Sequence, residues 1–167
     1  MTSRRRFLIL LGSAGVLGAG AAAGVSLVSK DEDAVAAEPT IHLGEEPCAT
    51  CGMIIDDVRF AAGWIDSRGR EEHFDDIGCL LERIAEHEPP ESTRYFIHAY
   101  NGDGWLRAEE AHYAISETIR SPMAYGVAAF ADAGGAQDAA QNGGTVATWH
   151  ELHDHVQPGT HGHGGHG

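Results

Sequence analysis

Residues 70–90 read Arg-Glu-Glu-His-Phe-Asp-Asp-Ile-Gly-Cys-Leu-Leu-Glu-Arg-Ile-Ala-Glu-His-Glu-Pro-Pro. Ile77, Leu80, Leu81 and Ile84 fall at i, i+3, i+4 and i+7, the single apolar stripe of a helix over Ile77–His87. Asp75 and Asp76 suit its start, because a short carboxylate accepts the free N–H groups of a first helical turn. Glu88-Pro89-Pro90 stops it. Upstream, Met53–Asp66 is rich in β-formers and ends at the turn Ser67-Arg68-Gly69, so Arg70–Phe74 returns as its partner strand. Downstream, Arg94–Tyr100 alternates as a strand and Asn101-Gly102-Asp103-Gly104 is a turn. Trp105 begins a short strand or helix, and Val127–Ala131 reads as a strand. Ala133–Gln141 is a small-residue helix ended by Asn142-Gly143-Gly144, and Thr145–Trp149 is a last strand. Helix and strand alternate without βαβ regularity, so the fold class is α+β, small mixed sheets with short helices. Ala61–Asp66 can be laid on Val127–Asp132, matching Trp64 with Phe130 and Asp66 with Asp132, which suggests an internal repeat.

The chain has 167 residues, enough for one ordinary domain. It carries 25 acidic against 11 basic residues, a formal charge of −14, and a surface of that sign repels phosphate backbones, which excludes nucleic acid as a partner. Residues 3–9, Ser-Arg-Arg-Arg-Phe-Leu-Ile, begin a basic segment followed by 22 uncharged residues, Phe7–Val28. The pattern resembles the twin-arginine export signal. Residues 1–37 are therefore expected to be a signal, for which the small-residue site Ala34-Val35-Ala36 offers a cleavage point just before Glu38, or a retained membrane anchor. Both place the remainder outside the cytoplasm. From Glu38 onward 22 acids face 7 arginines and no lysine. Self-repulsion of that size is tolerated where salt screens it, the Debye length being ~3 Å at 1 M, so the composition points to salt adaptation. Residues 38–152 form the working domain, and residues 153–167 are expected to be a disordered His/Gly-rich tail.

Chemistry concentrates in Cys48-Ala-Thr-Cys51-Gly52-Met53. Two cysteines at this spacing can aim their sulfurs at one centre. A covalent haem would need histidine at position 52, which is glycine. A structural zinc site needs four ligands, for which Cys48, Cys51, Cys79 and a histidine such as His73 are available, as in a treble-clef-like interaction module. A thioredoxin-like pair would want a βαβ setting. Methionine changes the balance: thiolate and thioether together are a soft donor set that selects Cu(I). Cys79 lies off the apolar stripe of its helix and in the first turn, where the helix N-terminus lowers a thiol pKa. It is either an exposed thiol or directed at something outside the core, in metal or disulfide partnership with the Cys48/Cys51 cluster. Met123, stiffened by Pro122, precedes an apolar strand and is a second candidate thioether.

The series Cys48-x-x-Cys51-Gly52-Met53, Phe74-Asp75-Asp76-Ile77-Gly78-Cys79, Trp105 with Ala108 and Ala111, Pro122-Met123 and Phe130 resembles, in order, the NosL family of nitrous oxide reductase accessory proteins. The resemblance spans about residues 46–150. It implies an extracytoplasmic Cu(I)-binding metallochaperone, not an enzyme, that supplies copper to the reductase alongside an associated membrane transporter. It also implies two related ββαβ-type halves with a likeness to the organomercurial lyase fold, which leaves a thiol or organomercurial-type enzyme as a further alternative. Many members are lipoproteins; no cysteine precedes Cys48 here, and Phe7–Val28, where it is retained, is the expected tether in place of a lipid. The expected Cu(I) ligands are Cys48, Cys51 and Met53, with Met123 or Cys79 completing the set.

Six of the 11 histidines, His150, His153, His155, His161, His163 and His166, occupy the last 18 residues. Imidazole-rich tracts bind late first-row metals, so this ending is a secondary site for Cu(II) or Zn. The Asp75-Asp76 pair reads as a helix cap rather than as acid–base machinery.

Overall fold

Asp66 closes the first turn: its Oδ1 accepts the N–H groups of Arg68 at 2.8 Å and Arg70 at 3.0 Å, while Gly69 takes φ +76°. The turn joins β1 (Ala62–Ile65) to β2 (Glu71–Phe74) as an antiparallel hairpin with Ala62 opposite Phe74 and Ile65 opposite Glu71. Helix α1 (Ile77–His87) follows, N-capped by Asp76, whose side chain accepts the Gly78 N–H, and ended by Glu88 at φ 41°. Strand β3 (Arg94–His98) pairs with β1 and β4 (Trp105–Arg107) pairs with β3, giving a four-stranded antiparallel sheet in the order β2-β1-β3-β4. All four residues of β1 are buried, because its sheet carries packing on both faces. The computed structural model describes residues 37–156.

The second half repeats this scheme. Strands β5 (His112–Ile115) and β6 (Val127–Phe130) pair antiparallel, α2 (Ala133–Ala140) follows, and β7 (Thr145–Ala147) returns beside β5, in the order β6-β5-β7. Each half thus contains a ββαβ unit with its first strand in the middle, and the first half adds β4 at the edge beside β3. The repeat is real but its register differs from the one the sequence suggests. Topology equates β6 with β2, so Phe130-Ala131-Asp132 corresponds to Phe74-Asp75-Asp76, and Asp132 caps α2 as Asp76 caps α1. Matching Asp132 with Asp66 confuses a helix cap with a hairpin-turn acceptor. The cores join: Trp64, Phe74, Leu80 and Leu81 of the first half pack in one cluster with Tyr113, Val127 and Leu152 of the second.

Three segments depart from expectation. Of Met53–Asp66, only the end is strand. Before it lie an isolated bridge between Pro47 and Ile54 and a 3-10 turn at Val58–Phe60, which Asp57 caps through the Arg59 N–H. Strand β5 has no counterpart in the sequence reading. Trp149 does not finish a strand but opens a third helix, α3 (Trp149–His155), whose capping box joins Thr148 to Glu151. The tail boundary drawn at residue 153 therefore falls inside a helix. The export segment, including Phe7–Val28, and His161, His163 and His166 lie outside the described residues. Among the described residues, no helix is long and apolar enough to cross a membrane.

Candidate metal centre

The Cys48–Met53 loop is a tight turn held from within. The Cys48 N–H donates to the Met53 carbonyl at 2.7 Å, the Gly52 N–H to the Cys48 carbonyl at 3.0 Å, and Gly52 sits at φ +75°, where glycine carries no steric penalty. Two further bonds staple the loop onto the junction of β2 and α1: Ala49 N–H to the His73 carbonyl (2.9 Å) and Thr50 Oγ1 to the Cys79 carbonyl (2.8 Å). As a result, the sulfurs of Cys48, Cys51 and Cys79 and a carboxylate oxygen of Asp75 all lie within 4.8 Å of one another. This group can hold a metal ion. Cys48, Asp75 and Cys79 are 3%, 2% and 0% exposed; Cys51 is half-buried and Met53 is 48% exposed, so the site grades from the interior at the start of α1 to the surface at the end of the loop.

All three cysteines are free thiols, and their protons are unequally held. A hydrogen bond from the Cys79 thiol favours the Cys48 thiolate against the cost of burial. With the N–H groups of Cys51 and Asp75 also directed at that sulfur, its pKa falls to about 7. The Cys51 thiol is pushed up to about 12 by burial and by its neighbours Cys48 and Asp75, against the opposing Met53 N–H. Cys79 is raised far above an ordinary thiol because it donates to Cys48 and is buried. Of the two alternatives for Cys79, the exposed thiol is thus corrected, as is the acidified one, and the thiol lies with the Cys48/Cys51 cluster. Its thiol faces the cluster, and its role as donor to a neighbouring sulfur outweighs the helix N-terminus. Apo, the cluster holds one thiolate readily and resists the second and third, so a cation that takes the place of the protons relieves the crowding.

Asp75 is the residue the sequence reading missed. Asp76 alone caps the helix, whereas Asp75 Oδ1 accepts the Cys51 S–H at 3.3 Å and its Oδ2, buried, has no hydrogen-bond partner among the described residues. Asp76 instead links the halves. It is fully buried, its Oδ2 accepts the Met123 N–H at 3.0 Å, and the Ser121 hydroxyl also bonds it, while burial raises its pKa. Met123 is thereby fixed beside the start of α1, half-buried against the core that contains Cys48 and Cys79. Tyr125 of the same segment lies over Gly78 so closely that a Cβ there would come within 2.1 Å of its ring.

His73 is not among the sulfur cluster. Its Nδ1 meets Glu46 Oε1 at 2.6 Å and its Nε2 meets Glu71 Oε2 at 3.2 Å, so both ring nitrogens are engaged elsewhere. His150 and His153 are exposed on α3, the latter edge-on to Trp149 at 4.8 Å, and His155 lies in the last turn of that helix. Among the described residues, the Cys48–Cys51–Asp75–Cys79 group is the one set of three or more such donors that closes on a common point.

The NosL family matches residues 40–157. No curated protein matches significantly. Among solved structures, the copper chaperone NosL from Shewanella denitrificans superposes with a TM-score of 0.58 at 14% identity, over 68% of this chain and 94% of that one. The likeness is one of fold: two small antiparallel sheets with short helices. With the match covering both ββαβ halves and the whole sulfur cluster, the chain belongs to the NosL family.

Proposed function

We propose that this chain is an extracytoplasmic Cu(I) metallochaperone that carries copper to a copper enzyme, nitrous oxide reductase being the client to test first. The observation that carries the reading is the convergence within 4.8 Å of two thiols from a loop that ends in the exposed Met53 with the Cys79 thiol of α1. The copper-chaperone description of the Shewanella denitrificans structure supports it by analogy. In this reading Cys48 and Cys51 supply thiolates, Cys79 completes the set on the buried side, and Met53 and Met123 offer exchangeable thioethers towards the surface. Thiolates give affinity for soft Cu(I), and weaker thioethers give an exit path. A carrier needs both. Residues 1–37 serve export or tethering, an associated transporter supplies the metal, and the C-terminal histidines hold Cu(II) or Zn near the soft site.

The test is an anaerobic Cu(I) titration of the reduced chain against a competing chelator, followed by mixing with copper-free nitrous oxide reductase. One equivalent should bind tightly, be lost in Cys48→Ser and Cys51→Ser, and restore reductase activity on transfer. Deletion of residues 157–167 should lower Cu(II) uptake and spare that equivalent. A reduced chain that ignores Cu(I) in the chelator competition overturns the proposal; Cu(I) binding without transfer removes the client.

A further inference from the structure

The connection between β5 and β6, residues 116–126, folds back on itself instead of turning tightly. The Ser116 N–H donates to the Gly126 carbonyl at 2.9 Å and the Gly126 N–H to Ser121 Oγ at 3.1 Å, so its base is pinched shut. Gly126 sits at φ +69°, where a Cβ would come within 2.5 Å of the Ser116 carbonyl oxygen. Ala124 takes φ 61°, a conformation that costs a non-glycine residue energy and persists only where its surroundings fix it. Between this connection and the start of β7 lies a cavity of about 470 Å³, within the size range of small-molecule sites. Ile115, Ile119 and Tyr125 give it an apolar wall. Its two buried hydroxyls are already engaged: Ser116 Oγ bonds Thr118 Oγ1 at 2.8 Å, and Ser121 bonds Asp76. What remains to meet a ligand is charge.

Glu117 and Arg120 line the cavity from the same connection, both exposed, and neither has an ion-pair or hydrogen-bond partner among the described residues. In so acidic a chain an arginine finds carboxylates readily: Arg59, Arg70, Arg83 and Arg107 each hold one. Arg120 and Glu117 do not even hold each other. We infer that the cavity is a binding site for a small aliphatic zwitterion of the amino-acid class. The ligand's carboxylate meets the Arg120 guanidinium, its ammonium meets the Glu117 carboxylate, and its side chain lies against Ile115, Ile119 and the Tyr125 ring. A guanidinium offers a carboxylate paired N–H donors, and an ammonium has only donors, which a carboxylate accepts. Selectivity follows from the same two groups, since a plain anion would be repelled by Glu117 and a plain cation by Arg120. None of the sulfur-cluster residues lines this cavity, so the inference depends neither on copper nor on any metal at that cluster.

The experiment titrates the full-length chain at fixed salt with three probes that share a carbon skeleton: L-leucine, isocaproate, which lacks the ammonium, and isoamylamine, which lacks the carboxylate. Calorimetry reads affinity, and nitrogen-15 spectra read location. L-Leucine should bind saturably and move the amide resonances of Gly126, Gly143 and Thr145, which border the cavity. Each analogue should bind about 10-fold more weakly, the loss of one hydrogen-bonded charge. Arg120→Gln and Glu117→Gln should each weaken L-leucine by about 10-fold on the same ground. The pairing of charges gives a sharper signature: Arg120→Gln should not weaken isoamylamine, and Glu117→Gln should not weaken isocaproate. Absent saturable L-leucine binding, shifts confined to residues away from the cavity, an analogue that binds as tightly as L-leucine, or parental L-leucine affinity in either variant each overturns the inference. Should a variant fail to fold, the three probes on the parent chain decide.

Discussion

Asp76→Ala separates the work of a helix cap from the work of a clasp between the two halves, because the fold supplies its own control in Asp132. Both residues cap an equivalent helix: Asp76 Oδ1 accepts the Gly78 N–H at 3.0 Å, and Asp132 Oδ1 accepts the Gly135 N–H at 2.9 Å. Only Asp76 has a second task, since its Oδ2 accepts the Met123 N–H at 3.0 Å and the Ser121 hydroxyl also bonds it. Loss of a cap costs about 1 kcal/mol. Leaving the partly buried Met123 N–H without its acceptor adds about 1–2 kcal/mol, the lower part of the range for an orphaned donor. Asp132→Ala should therefore cost about 1 kcal/mol and Asp76→Ala about 2–3 kcal/mol. Urea unfolding at fixed salt, with unchanged m-values, reads the difference from the two midpoints. A second signature concerns pH. Burial raises the Asp76 pKa, so its ionised form costs stability above the ordinary carboxyl range, and that cost is relieved as pH falls through the folded-state value. The Ala variant should lack this relief and lose stability more steeply in acid than the parent chain. Equal midpoints for the two variants would refute the clasp, and with it the mechanical link between Met123 and the sulfur cluster.

Three further outcomes are expected. Gly78→Ala places a Cβ within 2.1 Å of the Tyr125 ring, and the overpacking cost of about 1–3 kcal/mol exceeds the gain of at most about 1 kcal/mol in helix propensity. The variant should be less stable in urea and should show a displaced tyrosine resonance; a stabilised variant contradicts the close approach. Proton release on Cu(I) binding should depend on pH, because Cys48 titrates at about 7 while Cys51 is pushed up to about 12 and Cys79 higher still. Near pH 8 a three-thiolate complex expels about two protons per ion, rising towards three below pH 7, and affinity climbs with pH accordingly. Potentiometric titration in weak buffer checks this, and release of one proton or none at pH 8 excludes three-thiolate ligation. Thermal unfolding, followed by circular dichroism, should rise in midpoint as salt increases towards ~1 M, since screening relieves the self-repulsion of a chain with net charge −14. A flat or falling midpoint removes the case for salt adaptation.

Legibility in the sequence followed whether one signal decided each element. Around residues 62–87, strand, turn and helix signals agree: Asp66 and Gly69 make the turn, Asp76 the cap, and the stripe at Ile77, Leu80, Leu81 and Ile84 the packing face. Strand β5 escaped because four residues preceded by Glu109-Glu110 carry neither an alternation of useful length nor a bounding turn; its order comes from two neighbours supplied by distant sequence. Helix α3 left a readable trace in Thr148-x-x-Glu151, but its polar run of histidines resembled tail. What holds it is Trp149 packed near Tyr95 and Tyr113, which no local window contains.

The centre itself was half legible, and the missing half has one cause. Spacing drew attention to Cys48 and Cys51, but the stripe rule treats a helix as having one buried face. The first turn of α1 is buried all round, from Ile77 through Leu81, because the Cys48–Met53 loop covers the face opposite the core. A residue off the stripe, such as Cys79, then faces a second interior instead of water. The same geometry explains Asp75. In a tandem Asp-Asp, helix phase assigns the cap to the residue directly before the first turn, which leaves its predecessor aimed where the loop lies. Once the cap is assigned to Asp76, the polarity of buried Asp75 needs another reason, and its place beside three thiols in a group that could hold a metal ion offers one that packing cannot.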